Sequence, residues 1–115
     1  MEKYMFIFKG GDYESLKLSP DEIQQNMQKW YKWIQDLTKQ DIYVDGEPLE
    51  KGGKIVTKNG SKIVVTDGPF PEAKELVGGY FIINAKDYNH AAEIAKQCPG
   101  FEYGGAVEIR KVMKM

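Results

Sequence analysis

The longest periodic pattern in the chain is the spacing of apolar residues within its first third. They recur at steps of three and four residues: Ile23, Met27, Trp30, Ile34 and Leu37. This spacing predicts one apolar face on a helix of about five turns. The segment Ser19–Glu22 precedes it and combines an N-cap hydroxyl, a proline at the first helical position and a glutamate suited to a capping box. The helix is therefore predicted to begin at Pro20.

A second, shorter helix is predicted near the end of the chain. Asp87 is suited to its N-cap, and Pro99-Gly100 ends it. Its buried stripe is predicted to contain Ala91, Ile94, Ala95 and Cys98.

Runs of β-branched and aromatic residues predict the strands. These runs are Tyr4–Phe8, Lys54–Thr57, Lys62–Thr66, Tyr80–Ala85 and about Ala106–Val112. The pair Asn59-Gly60 lies between the second and third runs and predicts a hairpin, because both residues tolerate positive φ. Asp45-Gly46 and Gly52-Gly53 are interpreted as turns on either side of Glu47–Leu49.

The order of these elements predicts the fold. A strand, a helix, a region of strand and hairpin, a strand, a helix and a strand form two β-α-β halves, which is the ferredoxin-like arrangement. We therefore predict a single α+β domain over residues 1–115, with an antiparallel sheet, two helices on one face and an inserted β-hairpin. The other face of such a sheet is usually buried on a second copy, which predicts a homodimer.

Composition excludes several classes of protein. The 16 Lys and Arg are interspersed with 17 Asp and Glu, so nucleic-acid binding, which needs a basic patch, is not expected. No run of about 20 apolar residues could span a membrane, and no secretory signal is recognisable. With one cysteine, Cys98, and one histidine, His90, neither a disulfide nor a metal site is expected. The protein is expected to be cytoplasmic and to need no cofactor.

The most distinctive segment is Thr66–Tyr80, with the sequence TDGPFPEAKELVGGY. It closely resembles the signature of the DGPF-domain proteins of the YCII-related superfamily. Further matches lie in the second predicted helix, at Cys98-Pro99 and in Gly105–Arg110 of the last strand. The resemblance covers essentially the whole chain.

The resemblance implies a dimeric α/β barrel of ferredoxin-like subunits, which agrees with the fold predicted from the order of elements. It implies little about activity. The wider superfamily includes a chlorohydroquinone dehydrochlorinase, and some DGPF-type proteins are associated with transcription initiation. Some members place a His and an Asp in a cleft, but His90 lies at the start of the second predicted helix, where that pattern has no histidine.

The candidate site lies in the same segment. Asp67-Gly68-Pro69-Phe70 is first of all a turn, in which Phe70 is an apolar plug. The functional alternative is a cleft with shifted pKa values, in which Asp67 is the general base and Glu75 orients Lys74, the contact for an anion. The predicted ligand contacts are Lys74, Phe70, Glu72 and Tyr80.

Two functions remain open on these grounds. The leading hypothesis is a homodimer that binds a small molecule in a cleft near Asp67–Glu75, with cofactor-independent lyase or hydrolase activity left undecided. The alternative is a non-catalytic interaction module that serves transcriptional regulation. Cys98 is interpreted as a buried, inert thiol rather than a nucleophile, because it closes an apolar stripe at a helix C-terminus.

Overall fold

The structure is a computed structural model that describes residues 1–68 and 75–115. The described residues form strands, two α-helices and a short 3₁₀ helix. In chain order they are β1 (Glu2–Lys9), α1 (Pro20–Lys39), β2 (Tyr43–Pro48), β3 (Lys54–Asn59), β4 (Lys62–Asp67), β5 (Val77–Ala85), α2 (Tyr88–Ala95), the 3₁₀ helix (Pro99–Tyr103) and β6 (Ala106–Lys111).

The main sheet is antiparallel and has the strand order β2-β5-β1-β6. Strand β1 lies at its centre and pairs with β5 on one side and β6 on the other. Each helix therefore connects two strands that are separated by a third, which is the ferredoxin-like connection. This arrangement confirms the predicted fold class: an α+β domain with two helices on one face of an antiparallel sheet and an inserted hairpin.

The core lies between the helices and one face of the sheet. Alternate residues of the two central strands point towards the helices, because side chains along a strand alternate between its faces. The buried apolar residues come from both helices and the sheet: Tyr4, Phe6, Trp33, Leu37, Ile42, Phe81, Ile83, Ala85, Ala91, Ile94, Ala95 and Cys98. Burial of each large side chain stabilises the fold by about 1.5–3 kcal/mol.

The first helix begins as the sequence predicts. The Ser19 hydroxyl accepts a hydrogen bond from the backbone N–H of Glu22, and the Glu22 carboxylate accepts one from the backbone N–H of Ser19. This capping box satisfies two backbone donors at the helix N-terminus. It fixes where α1 starts, and therefore which of its side chains face the sheet.

The interpretation of Asp45-Gly46 as a turn was wrong. Both residues lie within β2, an edge strand whose register with β5 is irregular between Tyr43 and Asp45. Gly46 is opposite Phe81, and a Cβ atom at this position would lie 2.6 Å from the Phe81 ring. The glycine is therefore explained by close packing against β5 rather than by the geometry of a turn.

The hairpin predicted around Asn59-Gly60 is present. Strands β3 and β4 pair with each other in a separate two-stranded sheet. Gly60 has a φ of 65°, which is the left-handed conformation that such a turn requires.

Candidate functional site

A cavity of about 400 Å³ lies against the helix-covered face of the sheet. Residues of α1, of the loop that follows β1 and of the ends of β1, β2 and β5 line it. Its walls are largely aromatic and include Phe8, Trp30, Tyr31, Tyr43 and Phe81. Its volume is within the range of pockets that bind small molecules.

The aromatic walls pack against one another as well as facing the cavity. The Phe8 ring contacts Trp30 and Phe81 edge to face, each at 4.8 Å between ring centroids. Tyr43 contacts Phe81 in the same geometry at 5.1 Å. Such contacts stabilise aromatic pairs beyond the burial of their area, so the walls have a defined shape before any ligand binds.

Asn26 forms the polar part of the wall. Its side chain is buried, and its Oδ1 accepts hydrogen bonds from the Tyr13 hydroxyl at 2.7 Å and from Trp30 Nε1 at 3.1 Å. Its Nδ2 donates to the carbonyl oxygen of Pro99 at 3.1 Å and to Glu102 Oε1 at 3.5 Å. One amide therefore connects α1, the loop after β1 and the 3₁₀ helix.

Asp12 provides a carboxylate at the edge of the cavity. Its Oδ2 accepts hydrogen bonds from the backbone N–H of Ser15 at 3.0 Å, from the Ser15 hydroxyl, and from Lys51 Nζ at 2.7 Å. Partial burial raises the pKa of Asp12, but the hydrogen bonds from Lys51 and Ser15 outweigh this effect and lower the pKa to about 2. Asp12 is therefore a carboxylate at neutral pH. None of the described residues donates to its Oδ1.

Two of the phenols that line the cavity are held in their neutral form. Burial raises the pKa of Tyr13, and burial followed by the nearby carboxylate of Asp45 raises the pKa of Tyr43. Desolvation disfavours a phenolate, so both hydroxyls act as hydrogen-bonding groups without charge. The Tyr13 hydroxyl donates to Asn26, and its oxygen can also accept a hydrogen bond.

Comparison with known proteins identifies the family. The family model of the YCII-related domain matches residues 3–115. The chain belongs to the YCII-related family. No curated protein matches the sequence.

Among solved structures, this YCII-related chain is similar to 5-chloro-2-hydroxyhydroquinone dehydrochlorinase from Burkholderia phenoliruptrix AC1100 in complex with 2,5-dihydroxybenzoquinone. The sequences are 14% identical, and the similarity covers 98% of this chain and 95% of that one. The TM-score is 0.48.

The residues predicted from sequence to form the site have different surroundings. Tyr80 borders the cavity through strand β5, but its pairing with Ile7 places its side chain on the other face of the sheet, so its role as a ligand contact stays a prediction. Asp67 ends the hairpin, with its side chain 79% exposed and paired with Lys54, and Glu75 Oε2 lies 3.8 Å from Lys9 Nζ. Phe70, Glu72 and Lys74 lie outside the described residues. The predicted convergence of Asp67, Lys74 and Glu75 therefore remains a prediction.

Asp12, Tyr13 and Asn26 were not among the site residues predicted from the sequence. One signal for Asn26 was present: it lies four residues before Trp30 and seven before Trp33, so it belongs to the buried side of α1. The predicted apolar face of α1 was correspondingly only partly right. Asn26, Trp33 and Leu37 are buried, whereas Met27, Trp30 and Ile34 line the cavity.

Two further reactive side chains of the YCII-related chain are engaged in local structure. Burial raises the pKa of the Cys98 thiol to about 11, and its Sγ accepts a hydrogen bond from the backbone N–H of Gly100. This agrees with an inert thiol. His90 Nδ1 accepts a hydrogen bond from the backbone N–H of Lys86 at 3.0 Å.

Within residues 1–68 and 75–115, no group of three metal-binding side chains is present, and neither helix is long and apolar enough to cross a membrane.

Proposed function

We propose that this YCII-related protein is a homodimer whose subunits each bind a small, uncharged and largely apolar molecule in the aromatic cavity. The observation that carries the proposal is the combination of about 400 Å³ of aromatic-walled space with a small set of polar groups. The apolar walls favour a ring or a short hydrocarbon. The polar groups favour one hydroxyl or amino substituent.

The charges around the cavity favour a neutral ligand over an anion. Among the described lining residues, Asp12 and Glu47 are acidic and Lys51 is basic. Lys51 is already engaged, since its Nζ lies 2.7 Å from Asp12 Oδ2 and 3.3 Å from Glu14 Oε2. The Glu47 side chain lies on the other face of the sheet, so an anionic ligand would approach the Asp12 carboxylate, and the lysine beside that carboxylate is already paired.

Asp12 is proposed to orient the ligand rather than to remove a proton from it. Its Oδ1 accepts no hydrogen bond from the described residues and can accept one from a hydroxyl or amino group of the ligand. A carboxylate with a pKa of about 2 is a weak base, because its proton affinity lies far below that of a general base matched to neutral pH. Binding is therefore better supported than acid–base catalysis at this residue.

A matched pair of probes tests the ligand class. Fluorine NMR line broadening would be measured for para-fluorobenzyl alcohol and para-fluorobenzoate, which share a ring and differ in charge at neutral pH. We expect the alcohol to bind at least tenfold more tightly than the carboxylate. Equal binding of the two probes, or no binding of either at millimolar concentration, would contradict the proposal.

Two variants connect the probe to the cavity. Asp12→Asn keeps the size of the side chain and removes its charge, so we expect it to weaken binding of the alcohol several-fold. Ile34→Trp adds volume within the cavity wall and is expected to abolish binding. Glu14→Gln is the control, because Glu14 is exposed and does not line the cavity. Circular dichroism establishes that each variant is folded.

The proposed dimer is supported by the second face of the sheet. Cross-strand pairs on that face join Met5 to Ile82 and Ile7 to Tyr80, so its centre is apolar. Asp45 and Glu47 lie on the same face along the edge strand β2, opposite Ile82 and Tyr80. We expect sedimentation velocity to show a dimer that Ile7→Lys converts to a monomer. A wild-type protein that is monomeric at millimolar concentration would contradict this part of the proposal.

A further inference from the structure

The β3–β4 hairpin, residues 54–67, forms an arm on the surface of the domain. Its two strands pair only with each other among the described strands, in a sheet separate from the main one. At its base, the backbone N–H of Gly68 donates to the carbonyl oxygen of Gly53 at 3.3 Å. A two-stranded hairpin is at best marginally stable in water unless its side chains pack on something else.

One face of the arm carries a row of exposed apolar side chains. Val56 pairs with Val65, and Ile63 lies on the same face two cross-strand pairs further along, opposite Lys58. Val56 is 62% exposed, Val65 61% and Ile63 66%. Residues 1–68 and 75–115 therefore leave this row uncovered. A contiguous row of this kind on an isolated hairpin marks a surface that contacts another molecule.

The charge of the arm indicates which molecule covers it. The arm carries Lys54, Lys58 and Lys62 against the single acidic residue Asp67, which gives three positive charges, one negative charge and a net charge of +2. The β2 edge of the main sheet carries Asp45 and Glu47 beside the apolar centre of the open face. One chain thus presents a basic apolar arm and an acidic β2 edge, and a two-fold pair of chains allows each arm to pack on the acidic edge of the other.

We propose that the arm is an intersubunit clasp, in which the face formed by Val56, Ile63 and Val65 packs on a second copy of this chain. This inference rests on the proposed homodimer and goes further, because it assigns the hairpin to the interface. The hairpin is then stabilised by association: its apolar row is buried only in the dimer. Its lysines lie near Asp45 and Glu47 of the other subunit.

A triple substitution on the arm tests the inference. V56T/I63T/V65T keeps β-branched side chains, which suit a strand, and removes most of the apolar surface of the row. We expect the dimer dissociation constant, measured by sedimentation equilibrium, to increase at least tenfold. Leu16→Thr is the control, since Leu16 is also exposed but lies outside both the arm and the sheet. It is expected to leave the dissociation constant within twofold of the wild-type value.

Hydrogen exchange of the wild-type protein provides a second readout that does not depend on folding of the variant. The amides of β3 and β4 should be protected at concentrations where the dimer forms and should exchange much faster on dilution to the monomer. The amides of β1 and β5, at the centre of the sheet, should remain protected in both states.

The outcomes separate the two proposals. A wild-type protein that stays monomeric would overturn the dimer and the clasp together. A wild-type dimer whose dissociation constant is unchanged by V56T/I63T/V65T would overturn the clasp and leave the dimer standing. Arm amides that exchange equally fast in monomer and dimer would also overturn the clasp. So would a dimer in which the arm amides become protected only after a different protein is added.

Discussion

At the scale of single residues, Asn26 uses every hydrogen-bonding position of its side-chain amide. Its Oδ1 accepts hydrogen bonds from the Tyr13 hydroxyl and from Trp30 Nε1. Its Nδ2 donates to the Pro99 carbonyl oxygen and to the Glu102 carboxylate. A buried amide is stabilising only when its partners are all present, because each buried polar group left unpaired costs about 1–3 kcal/mol. The position of the cavity wall therefore depends on this side chain.

Asn26→Leu keeps the approximate size of the side chain and removes all four hydrogen bonds. It leaves the Tyr13 hydroxyl, Trp30 Nε1 and the Pro99 carbonyl without this partner, so we expect a loss of about 2–4 kcal/mol in the free energy of unfolding. Urea denaturation measures this value. Gln25→Leu, at an exposed neighbouring position, is the control and is expected to change it by less than about 0.5 kcal/mol. A similar loss in both variants would show that Asn26 has no special role.

Asp12 predicts a dependence of stability on pH. Its pKa is about 2 in the folded protein and 3.8 as its ordinary value, so its carboxylate contributes stability above about pH 4 that is lost as the pH falls towards 2. We expect Asp12→Asn to lower the free energy of unfolding by about 2 kcal/mol at neutral pH and by much less near pH 2. Urea denaturation of both proteins at several pH values measures the difference. A difference that does not change with pH would contradict the lowered pKa.

At the scale of elements, features determined by neighbouring residues could be predicted from the sequence, whereas a feature determined by a distant contact could not. The start of α1 was predictable, because Ser19 and Glu22 form the capping box within one helical turn. The hairpin was predictable for the same reason, since the positive φ of Gly60 is a property of the turn itself. Strand β2 was misread, because Gly46 is required by Phe81, a residue far along the chain.

Gly46→Ala tests that account of β2. The added Cβ would lie 2.6 Å from both the Phe81 ring and the Tyr80 carbonyl oxygen, so β2 must move away from β5. We expect a loss of about 1–3 kcal/mol in the free energy of unfolding, which is typical of overpacking. Gly78→Ala is the matched control, because nothing lies within 4 Å of its added Cβ. Equal stability of the two variants in urea would contradict close packing at Gly46.

At the scale of the whole molecule, the fold was predictable and the cavity was not. The order of strands and helices specified the ferredoxin-like arrangement, because both α-helices and every strand except the edge strand β2 were identified from their own segments. The cavity requires the side chains of Asp12, Asn26 and Trp30 to meet, and it depends on how α1 lies on the sheet and where the loop after β1 returns. No local sequence pattern encodes how α1 and this loop are placed relative to each other. The proposed dimer likewise depends on which surfaces the finished fold leaves uncovered.

The central claim is that the aromatic cavity holds the ligand, and the two tryptophans test it most directly. Trp30 lines the cavity and its Nε1 donates to Asn26, whereas Trp33 is buried in the core. In a titration with para-fluorobenzyl alcohol followed by heteronuclear NMR, we predict a saturable shift of the Trp30 indole N–H resonance and a much smaller shift for Trp33. Equal shifts of both resonances, or no shift of Trp30 while the probe binds, would contradict the account.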